Sequence, residues 1–475
     1  MLSLVCNLIR LGSRATRRRA GIGRALFLCW LALIVISSGC RRDSAQWKVA
    51  AAVNEEKNAN PEGAIELLQK ALQMDPESSH IKLHLARLLA ENDQGDLGLT
   101  LCDEILESDP NDKNAWQMRS VCLRFLGRFD ESLAAYQKAI FDIIDKGPDE
   151  LNELAYLRAL AGVQLDKALR QINLGIGKYE RQFVPIRHQK FSLFASQSPS
   201  WGSYSQVPVE ISTLVTAGLL SRHTDEGHLL LMDLLNTKIQ EEQLLWLARN
   251  KRLDLLVEAH DESSDKVSDL KAKRQQAIIE AASDKVELVT GNLVVLLATR
   301  SLIFEDQGQT RLADLDRLWL KKIGFRPQEI YGSLPNDNES MLLLKDGPPF
   351  LDTRGFVLTQ MPWQPTWTDP SGKVIRIQGN TSLASYGSYH LALEDLDLAI
   401  AASEIRLLVF DSDAVNRIER SVGSIRELKE RETRIVAVLR NHRRQAHIRA
   451  KQFEAAKLDQ LRIEELGLKA DSNLF

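Results

Sequence analysis

Short amphipathic segments fill the first half of the chain. In AIELLQKAL (64–72) and IKLHLARLLA (81–90), apolar residues recur every three or four positions, and polar residues separate them. That spacing places the apolar side chains on one face of an α-helix. Because the segments are short and follow one another in pairs, the pattern predicts a series of helical hairpins.

Prolines and small residues give this series a period. QMDPES (73–78) recurs as ESDPND (107–112), so the interval from Pro76 to Pro110 defines the repeat. With repeats that start at Ala45, Ser79 and Lys113, eight of the nine residues at positions 8, 20 and 27 are Ala, Gly or Ser, against roughly a quarter expected from ordinary composition. Small side chains there let two antiparallel helices cross closely. The nine residues are Ala52, Ala64, Ala71, Ala86, Gly98, Ile105, Ser120, Ser132 and Ala139.

The proline interval and the small positions resemble the tetratricopeptide repeat, whose period is about 34 residues. The third copy has the aromatic residues and the glycine of that family, at Trp116, Gly127, Phe129 and Tyr136. Residues 152–176 resemble a fourth copy, whose small positions are Ala155, Gly162 and Ala168. The resemblance implies an all-α fold, with an α-solenoid of tetratricopeptide-like hairpins over residues 40–183.

The same resemblance implies a binding groove, because this family builds its inward face from the first helix of each hairpin. The polar and aromatic residues at the corresponding positions are His80, Arg87, Asn114, Gln117, Arg124, Asn152 and Tyr156. Arg and Asn side chains offer forked or two-ended hydrogen bonds that suit peptide backbones and carboxylates. Ordinary surface polarity explains any one of these residues. The prediction therefore concerns the face that they share, with other proteins or peptides as partners.

The second half predicts more helices in a less regular arrangement. Residues 184–209, rich in Ser, Pro and aromatic residues, predict a connector. Residues 210–347 predict a helical region with a degenerate repeat at 294–327. Residues 403–475 predict C-terminal helices that end in a degenerate capping repeat, because AKLDQLRIEELGL (456–468) echoes ADLDRLWLKKIGF (313–325).

Residues 348–402 predict one repeat whose two helices are separated by an insertion at 361–386. FLDTRGFVL (350–358) has the pattern of a first helix and YGSYHLALEDLDLAIAA (386–402) that of a second. DPSGK, followed by the alternating KVIRIQ, predicts a small β-hairpin in the insertion. Trp363 and Trp367 are two rigid aromatic residues that suit a binding loop. Alternatively, both rings cover the apolar end of their own hairpin.

The N-terminus follows a different pattern. Six Arg and no acidic residues occupy positions 1–39, and residues 25–36 are continuously apolar. ISSGC (36–40) resembles the lipobox of bacterial lipoproteins, although Ser37 stands where Leu is usual. The resemblance implies a signal peptide over 1–39, lipid modification of Cys40, and a membrane-anchored lipoprotein of the bacterial cell envelope that faces the periplasm. An uncleaved anchor and an ordinary signal peptide are the alternatives.

Charge and local motifs narrow the function classes. Removal of residues 1–39 changes the net charge from −3 to −9, which argues against a general nucleic-acid binder. SRHTDEGH (221–228) separates its two His by five positions rather than the four that suit zinc on a helix, and no other pattern indicates a metal or a cofactor. The basic stretch RNHRRQAHIRAKQ (440–452) predicts a solvated helix face.

These observations predict a non-catalytic scaffold that is exported, lipid-anchored and binds other proteins through the repeat groove. Two alternatives stay open. The first is an envelope enzyme with an unrecognised site near the loops at 183–209 or 361–386. The second is a cytoplasmic scaffold whose N-terminal segment is a misread start.

Overall fold

The computed structural model describes residues 44–58, 60–195, 208–224, 226–249, 286–332, 334–361, 366–368, 374–376, 381–412 and 425–469. The predicted signal peptide 1–39 and Cys40 lie outside these ranges. Across the ranges that are described, no helix is both long and apolar enough to cross a membrane. The chain divides into two compact units, Met1–Cys122 and Leu123–Phe475.

The described part of the first unit, from Ser44 onwards, consists of helical hairpins, as the hydrophobic pattern predicts. Its helices are α1 (Ala45–Lys57), α2 (Pro61–Met74), α3 (Ser79–Glu91), α4 (Gly95–Ser108) and most of α5 (Lys113–Phe125). Side chains cap the starts of three helices: Ser44 Oγ accepts the Trp47 N–H, Asn60 Oδ1 accepts the Gly63 N–H, and Asp112 Oδ1 accepts the Ala115 N–H. These bonds satisfy amide groups that have no partner inside the helix.

The small positions of the repeat lie where its helices cross. Ala52, Ala64, Ala71 and Ala86 are fully buried. At Gly98, a Cβ atom would lie 2.7 Å from the Ala86 backbone oxygen and 3.0 Å from Cys122 Sγ. Only glycine therefore fits this crossing of α3 and α4 without a shift of the backbone. Cys102 and Cys122 are free, buried thiols.

The second unit contains the end of α5 and the remaining elements. Its described helices are α6 (Phe129–Ala139), α7 (Pro148–Ala161), α8 (Leu165–Ala195), α9 (Val209–Ser221), α10 (Gly227–Arg249), α11 (Val286–Asp306), α12 (Thr310–Ile323), α13 (Pro327–Tyr331), α14 (Asp337–Gln360), α15 (Thr381–Asp411), α16 (Ile425–Arg449) and α17 (Phe453–Glu465). One apolar core runs through this unit, from Ala155 on α7 through Leu296 on α11 to Leu439 on α16.

Two predicted boundaries differ from the structure. The compact units meet inside α5 and not near residue 183, because α7 and α8 share their core with α9, α11 and α14. The predicted connector 184–209 begins with helix, since α8 continues to Ala195 through Pro185. A proline removes one helical hydrogen bond but does not by itself end a helix. Residues 196–207 lie outside the described part.

The predicted insertion 361–386 contains two short strands, β1 (Thr366–Thr368) and β2 (Val374–Arg376). They pair antiparallel, with Trp367 opposite Ile375. α15 begins at Thr381, so the last residues of the predicted insertion are helical. The preceding helix, α14, begins at Asp337 and contains Pro348 and Pro349, and is therefore longer than the predicted first helix.

In three hairpins of the second unit, an arginine–aspartate ion pair joins the two helices. Arg300 on α11 donates two hydrogen bonds to Asp316 on α12, at 2.9 and 2.6 Å. Arg354 on α14 does so to Asp395 on α15, at 2.7 and 2.6 Å. Arg443 on α16 does so to Asp459 on α17, at 2.9 and 2.5 Å. In each hairpin the arginine belongs to the first helix and the aspartate to the second.

The spacing of these pairs relates the three hairpins to one another. The partners are 16 positions apart in α11–α12 and in α16–α17, whereas they are 41 positions apart in α14–α15. The extra separation in α14–α15 matches the length that the sequence assigns to the insertion. The α14–α15 hairpin therefore has the same pairing of helices as the other two, with extra chain between them.

Candidate protein-binding face

Four of the predicted groove residues lie in the first unit, on the first helices of two repeats. His80 and Arg87 belong to α3, and Asn114 and Gln117 belong to α5. We call these four residues the first-helix face. His80, Asn114 and Gln117 are exposed, and Arg87 is half-buried.

Arg87 is held by carboxylates of its own chain. Its Nη1 donates to Glu91 Oε2 at 2.9 Å, one helical turn away, and its Nη2 forms an ion pair with Glu56 on α1. His84 Nε2 lies 2.5 Å from the other oxygen of Glu56. Burial by itself would raise the pKa of Glu56, but hydrogen bonds and charges from His84 and Arg87 hold the pKa below its ordinary value. Glu56 is therefore a carboxylate, and it neutralises part of the charge predicted to meet a ligand.

Asn114 and Gln117 have a different environment. Neither amide makes a hydrogen bond or ion pair with another described residue, and both are exposed on α5. A primary amide has two donor hydrogens and one acceptor oxygen, which match the C=O and N–H groups of an extended peptide. Nearby, Trp116 Nε1 donates to the Pro110 backbone oxygen at 2.9 Å, and this bond ties α5 to the turn before it.

The other predicted groove residues belong to the second unit and are less accessible. Arg124 donates to Glu153 at 2.9 Å, while its Nε is buried without a hydrogen-bond partner among the described residues. Asn152 Oδ1 is also buried and accepts no hydrogen bond from a described residue. Tyr156 is only 8 % exposed. The structure thus places Tyr156 inside the unit and not on an open face.

The cause is that later helices cover α7. Tyr156 packs on Phe356 of α14 and on His442 of α16, with ring centroids 5.8 Å apart in both contacts. Its hydroxyl lies 3.4 Å from His442 Nε2, and His442 Nδ1 lies 2.8 Å from Asp352 Oδ1. Burial raises the pKa of Tyr156 above its usual range, so the hydroxyl stays protonated. This buried Asp–His–Tyr cluster joins three helices of the core.

Most of the basic stretch, residues 440–447, is buried or half-buried, which corrects the prediction of a solvated helix face for these residues, whereas residues 448, 449, 451 and 452 are exposed. His442 is 1 % exposed. Arg440 donates to Glu404 and to Asp459, and Arg443 donates to Asp459 and Asp397. The acidic partners lie on α15 and α17, far enough along the chain that the local sequence does not reveal them. The charges of this stretch therefore hold helices together.

For the other predicted site residues, Cys40, Trp363 and Trp367, the structure describes no side chain. Cys40 and Trp363 lie outside the described residues, and for Trp367 the structure gives only the backbone pairing in β1. His223, from the rejected zinc pattern, pairs with Asp337 at 3.1 Å. In the described ranges, no three His, Cys, Asp or Glu side chains are grouped so that they could hold a metal ion.

Sequence reasoning missed Glu56, His84 and Glu91, which surround Arg87. The spacing of Arg87 and Glu91, four positions apart on one helix, was a local signal for that pair. Glu56 lies 31 residues before Arg87, and no local pattern connects them.

Comparison with protein families gives one match. A tetratricopeptide repeat family matches residues 57–122, which include α2, α3, α4 and most of α5. Residues 57–122 are therefore similar to tetratricopeptide repeats, and the first-helix face lies within this span. No curated protein matches the chain.

Proposed function

We propose that this chain is a non-catalytic scaffold that binds other proteins through the first-helix face. The observation that carries the proposal is the pair of exposed amides, Asn114 and Gln117, which project from a first helix of the matched repeat and have no partner among the described residues. Tetratricopeptide repeats typically bind other proteins, and hydrogen-bonding side chains on a rigid helix suit that role.

The proposal and the sequence prediction assign different side chains to the contact with the partner. Arg87 is engaged by Glu56 and Glu91, so its main effect is to fix α1 against α3. His80, Asn114 and Gln117 are the residues that a partner would contact first. Because they are exposed, their substitution leaves the folded core intact.

A capture experiment in intact cells tests this proposal. The variant carries His80→Ala, Asn114→Ala and Gln117→Ala, and the matched control carries Gln69→Ala and Glu107→Ala, at exposed positions of the second helices α2 and α4. After chemical crosslinking, quantitative mass spectrometry compares the captured proteins. We expect at least about a tenfold lower recovery of specific partners with the triple variant, from the loss of several hydrogen bonds. Equal recovery with the triple variant and the control would remove the first-helix face from consideration.

We also place the scaffold at a bacterial membrane, exported and held by a lipid on Cys40, with its repeats in the periplasm. The support is the basic and apolar segment before Cys40 together with the start of the repeat body at Ala45, a few residues after it. Metabolic labelling with a fatty acid tests this step. Label is expected on the wild-type chain and absent from Cys40→Ala, and label that persists in the variant would contradict lipidation at this residue.

A further inference from the structure

A cavity of about 410 Å³ opens between α6, α7, α8 and the segment that joins α6 to α7, all in the second unit. Apolar walls come from Ile140, Phe141 and Leu154. The polar lining consists of Gln137, Lys146, Arg158, Lys167 and Gln171. Three of these side chains are cationic and none is acidic. The lining is therefore electropositive in a chain whose net charge is −3.

Arg158 sets this cavity apart from the other charged clusters of the unit. It is only 2 % exposed, yet all of its hydrogen bonds go to neutral acceptors. Its Nη1 donates to the Leu154 backbone oxygen at 3.2 Å and to Gln171 Oε1 at 2.8 Å, and its Nε donates to Gln164 Oε1 at 3.4 Å. It has no carboxylate partner among the described residues.

Other buried or half-buried arginines of the same unit pair with carboxylates. Arg354 reaches Asp395 and Glu210, Arg406 reaches Glu432, and Arg440 reaches Glu404 and Asp459. A buried charge without a counterion is unfavourable, and proteins normally pair it. Burial also lowers the pKa of Arg158 below its ordinary value. An anion in the cavity would supply the missing negative charge.

The neighbouring side chains indicate which anion fits. Lys146 and Lys167 add two cationic groups, and Lys146 Nζ is oriented by a 2.8 Å hydrogen bond to the Ile143 backbone oxygen. Phe141 is 83 % exposed, and it lines the cavity together with Ile140 and Leu154. A small inorganic anion would leave this apolar surface uncovered. A carboxylate attached to an apolar group would neutralise Arg158 and cover the apolar wall as well.

We propose that the Arg158 cavity binds a carboxylate carried on an apolar group. This inference deepens the proposed function, on which it rests, by adding a second contact site for a partner polypeptide with such a group. A free organic acid offers the same chemistry, and the experiment distinguishes the two sources. Arg158 Nη2, which donates to no described residue, supplies a charge-assisted hydrogen bond to the carboxylate. Lys167 adds charge from α8, and Phe141 contacts the apolar portion.

Calorimetric titration of the full chain in detergent tests the site. The free-acid probe is 3-phenylpropionate, with 3-phenylpropionamide as its neutral control. The peptide probe is an N-acetylated tripeptide with a C-terminal Phe carboxylate, with the same peptide amidated as its control. We expect both carboxylates to bind with saturation and both amides to bind at least about tenfold more weakly, from the loss of a charge-assisted hydrogen bond. Tighter binding of the peptide identifies a polypeptide as the source, whereas equal or tighter binding of the free acid overturns that part of the inference.

Variants distinguish a specific binding site from non-specific electrostatic attraction. Arg158→Gln is expected to abolish binding, and Lys167→Gln, at an exposed position, is expected to weaken it about tenfold without a change in folding. Arg170→Gln, an exposed cation of α8 outside the cavity, is the matched control and should bind as the wild type does. If Arg158→Gln fails to fold, Lys167→Gln still decides the question. Wild-type affinity in Lys167→Gln, equal binding of the amides, or equally tight binding of inorganic phosphate would overturn the proposal.

The titration contains no partner protein and does not involve the first-helix face. Its failure would leave the result of the capture experiment unchanged. Conversely, loss of the first-helix face as a binding surface would not alter the affinity of 3-phenylpropionate.

Discussion

The α3–α4 hairpin of the first unit and three hairpins of the second unit use opposite chemistry at the same repeat positions. In the α3–α4 hairpin of the first unit, positions 7 and 23 are Leu85 and Leu101, which pack in one apolar cluster. In the α11–α12 hairpin of the second unit, the same positions are Arg300 and Asp316, which form a two-bond ion pair. The α14–α15 and α16–α17 hairpins repeat that ion pair.

The comparison indicates that either an apolar contact or an ion pair can join the two helices of such a hairpin. Leucines contribute through burial, which has no direction and tolerates small shifts. A buried Arg–Asp pair loses hydration and recovers that energy only when both hydrogen bonds are well formed, so it favours one register of the two helices. In α14–α15 that register is kept although the insertion separates the two helices.

The largest expected effect follows from removing the most connected aspartate. Asp459 is fully buried and accepts hydrogen bonds from Arg440 and Arg443. Asp459→Ala leaves two half-buried guanidinium groups without this partner, and we expect a loss of about 3–5 kcal/mol in the free energy of unfolding. Denaturant unfolding of the second unit measures it. Asp314→Ala, at an exposed aspartate of α12, is the control, and an equally small effect at both positions would contradict the structural role of the pair.

The second test replaces the ion pair of the α11–α12 hairpin with the leucines found in the α3–α4 hairpin. Asp316→Leu alone leaves Arg300 without its carboxylate partner, and we expect it to lower the free energy of unfolding by about 3 kcal/mol. The double variant, Arg300→Leu with Asp316→Leu, should recover most of this stability. Burial raises the pKa of Asp316 above its ordinary value despite the opposing effect of Arg300, so desolvation of this carboxylate is substantial. Unfolding free energies of the single variants Asp316→Leu and Arg300→Leu and of the double variant test this expectation. A double variant as unstable as the sum of the two single variants would show that the hairpin requires the ion pair.

A third test concerns what the two kinds of hairpin share, the close crossing of their helices. A Cβ at Gly98 would lie 2.7 Å from the Ala86 backbone oxygen, and a Cβ at Gly355 would lie 2.8 Å from Leu396 Cγ and 3.0 Å from the Ala392 backbone oxygen. Gly98→Ala and Gly355→Ala should each destabilise the chain by about 1–3 kcal/mol, as measured by denaturant unfolding. At Gly177 of α8 a Cβ meets no atom within 4 Å, so Gly177→Ala is the control and should be neutral or stabilising. No loss at Gly98 or at Gly355 would mean that the crossing is looser than the structure shows.

The smallest expected effect is on pH dependence. Burial lowers the pKa of His447 below 6.5, although Asp459 opposes this shift, and Tyr389 Oη lies 2.9 Å from His447 Nδ1. Because the folded state takes up this proton less readily than the unfolded state, the stabilising contribution is fully present above 6.5. It is lost as the pH falls through the lowered folded value.

Thermal unfolding at a series of pH values measures this contribution. The wild type should lose more stability than His447→Gln as the medium is acidified below 6.5. Parallel pH profiles for the two proteins would show that His447 does not contribute.

Much of the fold was predictable because repeats leave periodic signals. The proline period and the small residues located the hairpins of the first unit, and the likeness between residues 313–325 and 456–468 located two hairpins of the second. The ion pairs were not predicted. Arg300 and Asp316 occupy the same relative positions as Arg443 and Asp459, but a sequence does not show which charged residues are buried.

The candidate site was less predictable than the fold for a related reason. Tyr156 occupies a groove position of its repeat, and an open solenoid would expose it. Phe356 and His442, which come much later in the chain, cover it instead. Packing between residues so far apart leaves no periodic signal. For the same reason the local pattern of residues 440–452 predicts a solvent-exposed helix face, because their acidic partners lie on other helices.

The central claim is that the first-helix face contacts a partner protein, and site-specific photocrosslinking tests it most directly. A benzophenone side chain replaces Gln117 in one variant and Glu107, an exposed residue of the second helix α4, in the other. After irradiation of intact cells, we expect a discrete crosslinked product from position 117 and none of that mass from position 107. No product from position 117, or the same product from both positions, would contradict the proposal.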